Sequence, residues 1–185
     1  MYKKIDFKLK DLDFERLKGS VVTRYGRAPN PVLTYYRLAD PVYFKSLLPA
    51  KMFFGIAPLQ VQLAEIVGAG HLLPHIDHNI SACANYYVDT NGSTTYFYNK
   101  KPEATGFMYP GREVANIFAL TDVDKVSEFT AEQNDLFLLD VSKIHSVDSP
   151  NSGIRRFISF QWTGVPFEQI RDTLIDNLTV DTQVK

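Results

Sequence analysis

The sequence predicts a mainly β fold, a sandwich or barrel of many short strands with a few flanking α-helices. Three observations lead to this prediction. Short stretches rich in aromatic and β-branched residues recur along the chain, clusters of turn residues separate them, and several alternate apolar with polar side chains. The sequence contains no internal repeat, low-complexity segment or linker, so we expect residues 1–185 to form a single domain.

The first part of the chain predicts two helices around one strand. An aspartate in the capping position and a glycine just past the end predict a helix at residues 11–18. Residues 31–38 are rich in β-formers and predict a strand. An Asp-Pro pair begins a second helix, which should cover residues 40–48.

From residue 57 onward the β signal dominates. Residues 59–66 alternate apolar and polar side chains for most of their length, which is typical of a half-buried strand. Residues 84–90 and 93–98 flank an Asn-Gly pair, and this pair suits the two positive-φ positions of a type I′ turn. These two segments therefore predict a β-hairpin.

The last part of the chain continues the β pattern and ends in a helix. Turn residues bound three further predicted strands, at residues 113–120, 126–130 and 136–140. Residues 154–162 form the last predicted strand, with side chains that alternate between two faces. Apolar residues along one stripe predict a helix at residues 166–176.

Composition and charge narrow the class of protein. The net charge is −1, so no overall basic field indicates a nucleic-acid partner. Cys83 is the only cysteine, which excludes an intramolecular disulfide. No apolar run approaches the ~20 residues of a membrane span, and the start lacks the apolar core of a signal peptide. We therefore expect a cytoplasmic protein without a membrane partner, and the oligomeric state stays open.

Two histidines and one aspartate have the pattern of a metal site. His75 and Asp77 lie two residues apart in an expected strand, so their side chains point the same way. A second imidazole, His145, follows 68 residues after Asp77. Two histidines and one carboxylate form the facial triad of non-heme Fe(II) oxygenases, which leaves the other metal positions open. The competing histidines fit less well, since His71 has no carboxylate two positions on and His78 faces the opposite way from His75.

Arg155, ten residues after His145, is the candidate partner of an anionic co-substrate. Its planar guanidinium can grip a carboxylate through two charge-assisted hydrogen bonds. Arg156 is the alternative, and the two cannot both point into the interior because neighbours on a strand face opposite sides.

These motifs resemble the 2-oxoglutarate/Fe(II)-dependent dioxygenases, in particular the prolyl 4-hydroxylase-like branch. Residues 74–77, Pro-His-Ile-Asp after a strand and a glycine turn, are similar to the segment that leads into the iron motif. The Thr-rich residues 91–99 are similar to the strand after the first ligands. Residues 134–162, with His-Ser-Val and then Arg before Phe-Ile-Ser-Phe, look like the distal half. The resemblance implies a double-stranded β-helix (jelly-roll or cupin-like) core over residues 57–162.

The resemblance also implies roles for individual residues. His75, Asp77 and His145 would ligate Fe(II), and Arg155 would hold 2-oxoglutarate. Further candidates for the co-substrate site are polar residues on the expected strands nearby: Ser159, Asn85, Tyr87 and Thr95. The branch usually has a lysine anchor and a tyrosine three residues before the first histidine. Here these positions are Arg155 and Leu72, which weakens the case for a prolyl substrate.

The implied reaction is hydroxylation of a C–H bond in a small-molecule or peptide substrate. It uses O₂ and converts 2-oxoglutarate to succinate and CO₂. Two alternatives also fit the residues. One is a non-catalytic jelly-roll module for binding or assembly, and the other is a cupin-type enzyme that uses zinc or manganese at the same ligands.

Overall fold

The computed structural model describes residues 1–26, 30–107 and 115–181. The strands within these ranges are β1 (Tyr2–Ile5), β2 (Lys18–Tyr25), β3 (Val32–Leu38), β4 (Gln60–Val67), β5 (Gly70–Asp77), β6 (Ala82–Asp89), β7 (Thr94–Lys100), β8 (Ala115–Ile117), β9 (Val123–Thr130), β10 (Leu136–Leu139), β11 (Ile144–Ser149) and β12 (Ile154–Trp162). The α-helices there are α1 (Phe14–Leu17), α2 (Pro41–Ser46) and α3 (Phe167–Asp181).

The strands form two antiparallel sheets. The larger sheet has the order β1-β10-β6-β12-β4-β3-β2, and the smaller has the order β8-β5-β11-β7-β9. Consecutive strands from β4 to β7, and again from β9 to β12, alternate between the two sheets. This interleaving is the arrangement of a double-stranded β-helix, so the predicted mainly β jelly-roll fold is confirmed.

The larger sheet is covered on both faces, and β12 shows how. Its side chains alternate, so that Phe157 points toward the smaller sheet while Ile158 points away from it. The outward face packs against the helices through buried residues that include Leu63, Phe160, Trp162, Leu17, Phe44 and Ile170. The inward face joins the smaller sheet in a second apolar core, where the rings of Phe129 and Phe137 stack with centroids 4.1 Å apart. The candidate site residues extend from this inter-sheet core.

The turn of the predicted β-hairpin is present, but the pairing of its two strands is not. Strands β6 and β7 pack into different sheets, and the turn between them contains Asn91 and Gly92 with φ angles of 52° and 66°. These are the two positive values that the Asn-Gly pair predicted. The two strands are therefore joined by the expected turn, but they do not pair with each other, because each pairs within its own sheet.

Other boundaries differ from the sequence prediction. The helix expected at residues 11–18 is only Phe14–Leu17, because Asp13 rather than Asp11 caps it and Lys18 already begins β2. Part of the strand expected at residues 113–120 lies outside the described residues, and Ala115–Ile117 forms β8. The last helix is longer than predicted and ends at Asp181. Within the described ranges, no helix combines the length and the apolar composition that crossing a bilayer requires.

Candidate metal centre

Strands β5 and β11 bring the three predicted metal ligands together. His75 pairs with His145 in the antiparallel register, and their ring centroids lie 4.4 Å apart. Asp77 ends β5, and its Oδ1 atom lies 3.5 Å from His75 Nε2 and 4.0 Å from His145 Nε2. One potential ligand atom from each residue lies within 4.8 Å of the others. The cluster can therefore hold one ion through two imidazole nitrogens and one carboxylate oxygen.

The backbone fixes which nitrogen each histidine presents. His75 Nδ1 lies 2.8 Å from the carbonyl oxygen of Leu73, and His145 Nδ1 lies 3.0 Å from that of Lys143. A carbonyl oxygen only accepts, so each Nδ1 carries the proton and donates. Each Nε2 then keeps its lone pair and faces Asp77, which is the tautomer that a metal ligand needs.

Burial makes the site asymmetric. The His145 side chain is 9% exposed, whereas that of Asp77 is 32% exposed. Burial, with a smaller effect from the neighbouring His75, lowers the pKa of His145 to about 4. His145 is therefore neutral at pH 7, as metal ligation requires, and the site opens on the Asp77 side.

The competing histidines do not join the cluster. His71 Nε2 lies 3.0 Å from Ser146 Oγ, and its Nδ1 lies 3.8 Å from Asp148 Oδ1. His78 is exposed. Among the described residues, the group of His, Cys, Asp and Glu side chains with metal-ligand spacing is His75, Asp77 and His145.

Arg155 is a buried cation without an acidic partner in the part of the chain that the structure describes. It is 2% exposed, and its Nη2 donates to Thr95 Oγ1 at 3.1 Å. Its guanidinium carbon lies 4.6 Å from the centroid of the Tyr87 ring. Its Nε and Nη1 atoms are buried and make no hydrogen bond to a described residue. Two donors of this side chain are therefore available to a ligand.

Arg156 has the opposite environment. It points out of the sheet and lies 3.1 Å from Glu65, 3.3 Å from Asp89 and 3.3 Å from Glu15. Its charge is satisfied by these three carboxylates. Of the two arginines that the sequence offered, Arg155 is the one in the interior.

The remaining polar candidates lie on the inward face of the larger sheet. Asn85 and Tyr87 on β6 are buried, and Asn85 Oδ1 and Tyr87 Oη make no hydrogen bond to a described residue. Ser159 on β12 is opposite Asn85 in the register and accepts a hydrogen bond from Gln161 Nε2 at 3.3 Å. Asn85 and Tyr87 thus have free polar atoms, whereas Ser159 is already engaged.

Strand β7 connects the arginine to the metal cluster. Thr95, which bonds Arg155, and Phe97 are two residues apart and point the same way. Phe97 is opposite His145 in the register, and the two rings are 6.1 Å apart between centroids. Arg155 and His145 therefore line the same inter-sheet space.

Sequence reasoning missed a further residue near the cluster, Tyr35 on β3. Burial and the nearby charge of Asp77 raise the pKa of the Tyr35 hydroxyl well above its usual value. Tyr35 pairs with Ala64 in the register of β3 and β4, which sets it on the inward face. The aromatic character of residues 31–38 predicted a strand, but only this pairing places Tyr35 on the inward face of the larger sheet.

No protein-family model and no curated protein matches the chain. Among solved structures, it is similar to an oxidoreductase of the 2OG-Fe(II) oxygenase family from Burkholderia pseudomallei, with 12% identity over 80% of this chain and 74% of that one and a TM-score of 0.48. It is also similar to the epimerase SnoN in complex with Fe3+, alpha ketoglutarate and nogalamycin RO, with 15% identity over 78% and 68% of the two chains and a TM-score of 0.48. A mutant oxalate decarboxylase from Bacillus subtilis has 14% identity over 75% and 28% of the chains and a TM-score of 0.37. These likenesses concern the fold alone.

Proposed function

We propose that the protein is an Fe(II)- and 2-oxoglutarate-dependent dioxygenase that hydroxylates a C–H bond of a small-molecule or peptide substrate. The main support is the buried guanidinium of Arg155, which has two unpartnered nitrogen atoms in the space that the metal cluster faces. An unpaired buried charge is costly, so this cation calls for an anion that the described residues do not supply. The distal carboxylate of 2-oxoglutarate is such an anion.

The metal ligands fit the same proposal. His75 and His145 would bind Fe(II) through Nε2, and Asp77 would bind through a carboxylate oxygen. Three ligands on one side leave the other positions to 2-oxoglutarate and O₂. When bound, the iron supplies the oxidative chemistry in which 2-oxoglutarate and O₂ give succinate and CO₂ and one oxygen atom enters the substrate C–H bond.

The other residues of the space would orient the co-substrate. Thr95 accepts a hydrogen bond from Arg155 and so fixes the plane of the guanidinium, and the Tyr87 ring stabilises its charge by a cation–π contact. Tyr87 Oη and Asn85 Oδ1 are free to hydrogen-bond a ligand or an ordered water. Phe97 and Phe157 exclude bulk water around these groups.

The buried arginine also separates this proposal from its alternatives. A zinc hydrolase with the same three ligands has no need of a cation in the interior. A binding module without chemistry has no need of the ligand cluster either. A 2-oxoglutarate-dependent oxygenase uses both the buried cation and the ligand cluster.

Anaerobic titration of the protein with Fe(II) and 2-oxoglutarate tests the proposal. The wild type should develop the weak visible charge-transfer band of the iron–2-oxoglutarate chelate and, with O₂, release succinate. His75→Ala should show no band, while His78→Ala, which changes an exposed histidine outside the cluster, should behave like the wild type. A wild type that binds Fe(II) but gives neither band nor succinate would refute the assignment.

A further inference from the structure

A connected set of glutamine side chains lines one end of the inter-sheet space. This glutamine wall consists of Gln60 and Gln62 on β4 and Gln161 on β12. Gln60 Nε2 donates to the side-chain oxygen of Gln161 and, at 3.5 Å, to that of Gln62. Gln161 Nε2 donates to Ser159 Oγ. The wall runs from the surface inward, since Gln60 is exposed, Gln62 is half-buried and Gln161 is 7% exposed.

The wall faces the proposed active site. Gln161 and Ser159 lie on the same side of β12 as Arg155, at even spacings along the strand. Gln62 is opposite Ser159 in the register, and Gln60 is opposite Gln161. All of these side chains therefore share the inward face with the arginine.

Cys83 and Tyr35 flank the glutamine wall on the inward face, and the chain path sets the wall at the Asp77 end of the site. Cys83 is opposite Gln161 in the pairing of β6 and β12 and is buried on the inward face. Tyr35 is one inward position along β3 and β4 from Gln62, because it pairs with Ala64. Strand β5 follows β4 after a two-residue turn and ends at Asp77, whereas β4 begins at Gln60, so Asp77 and Gln60 lie at the same end of the inter-sheet space. The wall thus lies on the more exposed, Asp77 side of the cluster.

The free polar atoms of the wall are those of uncharged groups. A carboxamide offers two N–H donors and one carbonyl acceptor. Gln62 Nε2, Gln60 Oε1 and the Tyr35 hydroxyl make no side-chain hydrogen bond to a residue within the described ranges. They therefore present both donors and an acceptor, without a charge, at the open side of the metal cluster.

We propose that the glutamine wall and Tyr35 form the substrate-recognition surface and select an uncharged substrate that presents a carboxamide group. Its carbonyl oxygen accepts from Gln62 Nε2 and its N–H donates to Gln60 Oε1, so that one substrate amide bridges the two glutamines. A charged group at this place would lose its hydration without gaining a counter-ion, so the wall rejects it. This inference rests on the proposed function, because it assigns the substrate of that same site.

The test compares matched pairs of small probes. Each pair is an N-acetylamino-acid amide and the corresponding N-acetylamino acid, which has a carboxylate in place of the terminal carboxamide. Binding is measured by calorimetry on the metal-loaded protein with 2-oxoglutarate, and succinate release is measured in parallel. At least one amide should bind about tenfold or more tighter than its matched acid and stimulate succinate release. Equal binding of amides and acids, or tighter binding of the acids, would overturn the inference.

Variants of the glutamine wall test whether its residues cause the tighter binding of amides. Gln62→Leu should retain the iron–2-oxoglutarate band but lose the tighter binding of the amide, and Gln62→Glu, which keeps the shape, should lose it as well. Gln133→Leu, which changes an exposed glutamine in the turn before β10, is the matched control and should bind like the wild type. Amide binding that is unchanged in both Gln62 variants would overturn the inference.

The readouts also separate this inference from the proposed function. If the wild type lacks the iron–2-oxoglutarate band but still prefers amides in a Gln62-dependent way, the wall recognises carboxamides and the oxygenase assignment fails. If the band is present and the preference is absent, the oxygenase assignment stands and the inference about the substrate fails.

Discussion

His145 stands directly opposite His75 in the pairing of β11 with β5, and both imidazoles direct Nε2 toward the Asp77 carboxylate. In each case the carbonyl oxygen two residues earlier in the chain accepts the Nδ1 proton. The same local device therefore sets both ring orientations. Because the acceptors are backbone carbonyl oxygens of Leu73 and Lys143, the orientation of the two imidazoles is set by the local chain path.

Loss of one ligand should abolish most metal binding. Replacing His145 by alanine is expected to weaken binding of Mn(II), an air-stable substitute for Fe(II), by more than about 100-fold, since loss of a supporting residue alone typically costs about 10- to 100-fold. Calorimetry of wild type and variant measures the difference. The exposed His78→Ala is the control and should bind like the wild type. An unchanged affinity in His145→Ala would remove this residue from the ligand set.

Replacing Arg155 should weaken the binding of 2-oxoglutarate without lowering the unfolding temperature of the ligand-free protein. Arg155→Met is expected to weaken 2-oxoglutarate binding by about 30-fold or more, because truncating one partner of a buried charge pair costs about 2–5 kcal/mol. Without 2-oxoglutarate, the variant should unfold at the same or a higher temperature than the wild type, because the unpaired charge is gone. Calorimetry and thermal unfolding measure the two effects.

Arg156→Met is the matched control for that experiment. Arg156 contacts three carboxylates on the outward face, so its loss should lower the unfolding temperature and leave 2-oxoglutarate binding intact. The opposite result, with Arg156 needed for binding and Arg155 dispensable, would exchange the roles of the two residues.

The outward ion cluster around Glu65 should make stability depend on pH. Burial alone would raise the pKa of Glu65, but hydrogen bonds from Lys18, Tyr36 and Arg156 outweigh burial and lower it below the usual 4.5. A carboxyl with a lowered folded-state pKa stabilises the fold above its unfolded pKa and loses this contribution as the pH falls through the folded value. Acid should therefore destabilise the wild type by this route.

Glu65→Gln tests this dependence. At pH 7 the variant should lose about 1–3 kcal/mol of unfolding free energy, since it leaves two partly buried cations short of an acidic partner. The difference from wild type should shrink as the pH falls below about 4.5, which urea unfolding at a series of pH values measures. A difference that stays constant down to pH 2 would show that Glu65 ionisation does not stabilise the fold.

The helical layer should support the fold without touching the site. Ile170 on α3 is fully buried against the outward face of the larger sheet, and Ile170→Ala should cost about 2–5 kcal/mol in urea unfolding. Glu168→Ala, an exposed change in the same helix, should stay within about 0.5 kcal/mol of wild type. Both variants should bind metal normally while folded. Loss of metal affinity in folded Ile170→Ala would show that the layer also shapes the site.

The relative directions of site residues within one strand could be predicted from strand periodicity. Spacing by two residues puts His75 and Asp77 on one side, and adjacency puts Arg155 and Arg156 on opposite sides. The structure has both relationships, because each depends only on the pleat of one strand. The turn at Asn91 was predictable for the same reason, since it depends on two neighbouring residues.

The contacts between site residues on different strands could not be predicted. The pairing of His145 with His75 depends on a register between strands far apart in sequence, and β11 itself lacks a clean alternation of apolar and polar residues. The alternation at residues 59–66 did predict β4, but alternation does not reveal what the polar side faces. Gln62 turned out to point into the inter-sheet space, while Leu63 packs toward the helices.

The alternation along β12 has a consequence for how such a protein can diversify. Its odd-numbered positions from 155 to 161 face the space of the proposed site, and its even-numbered positions from 156 to 162 face the helical layer. Point substitutions at the odd positions can therefore change specificity while the helical layer stays intact. An insertion or deletion of one residue within β12 would instead exchange the two sets, turning Trp162 toward the inter-sheet space and the Arg155 guanidinium toward the helices. We therefore expect β12 to tolerate substitutions at its inward-facing positions and not to tolerate a change in its length.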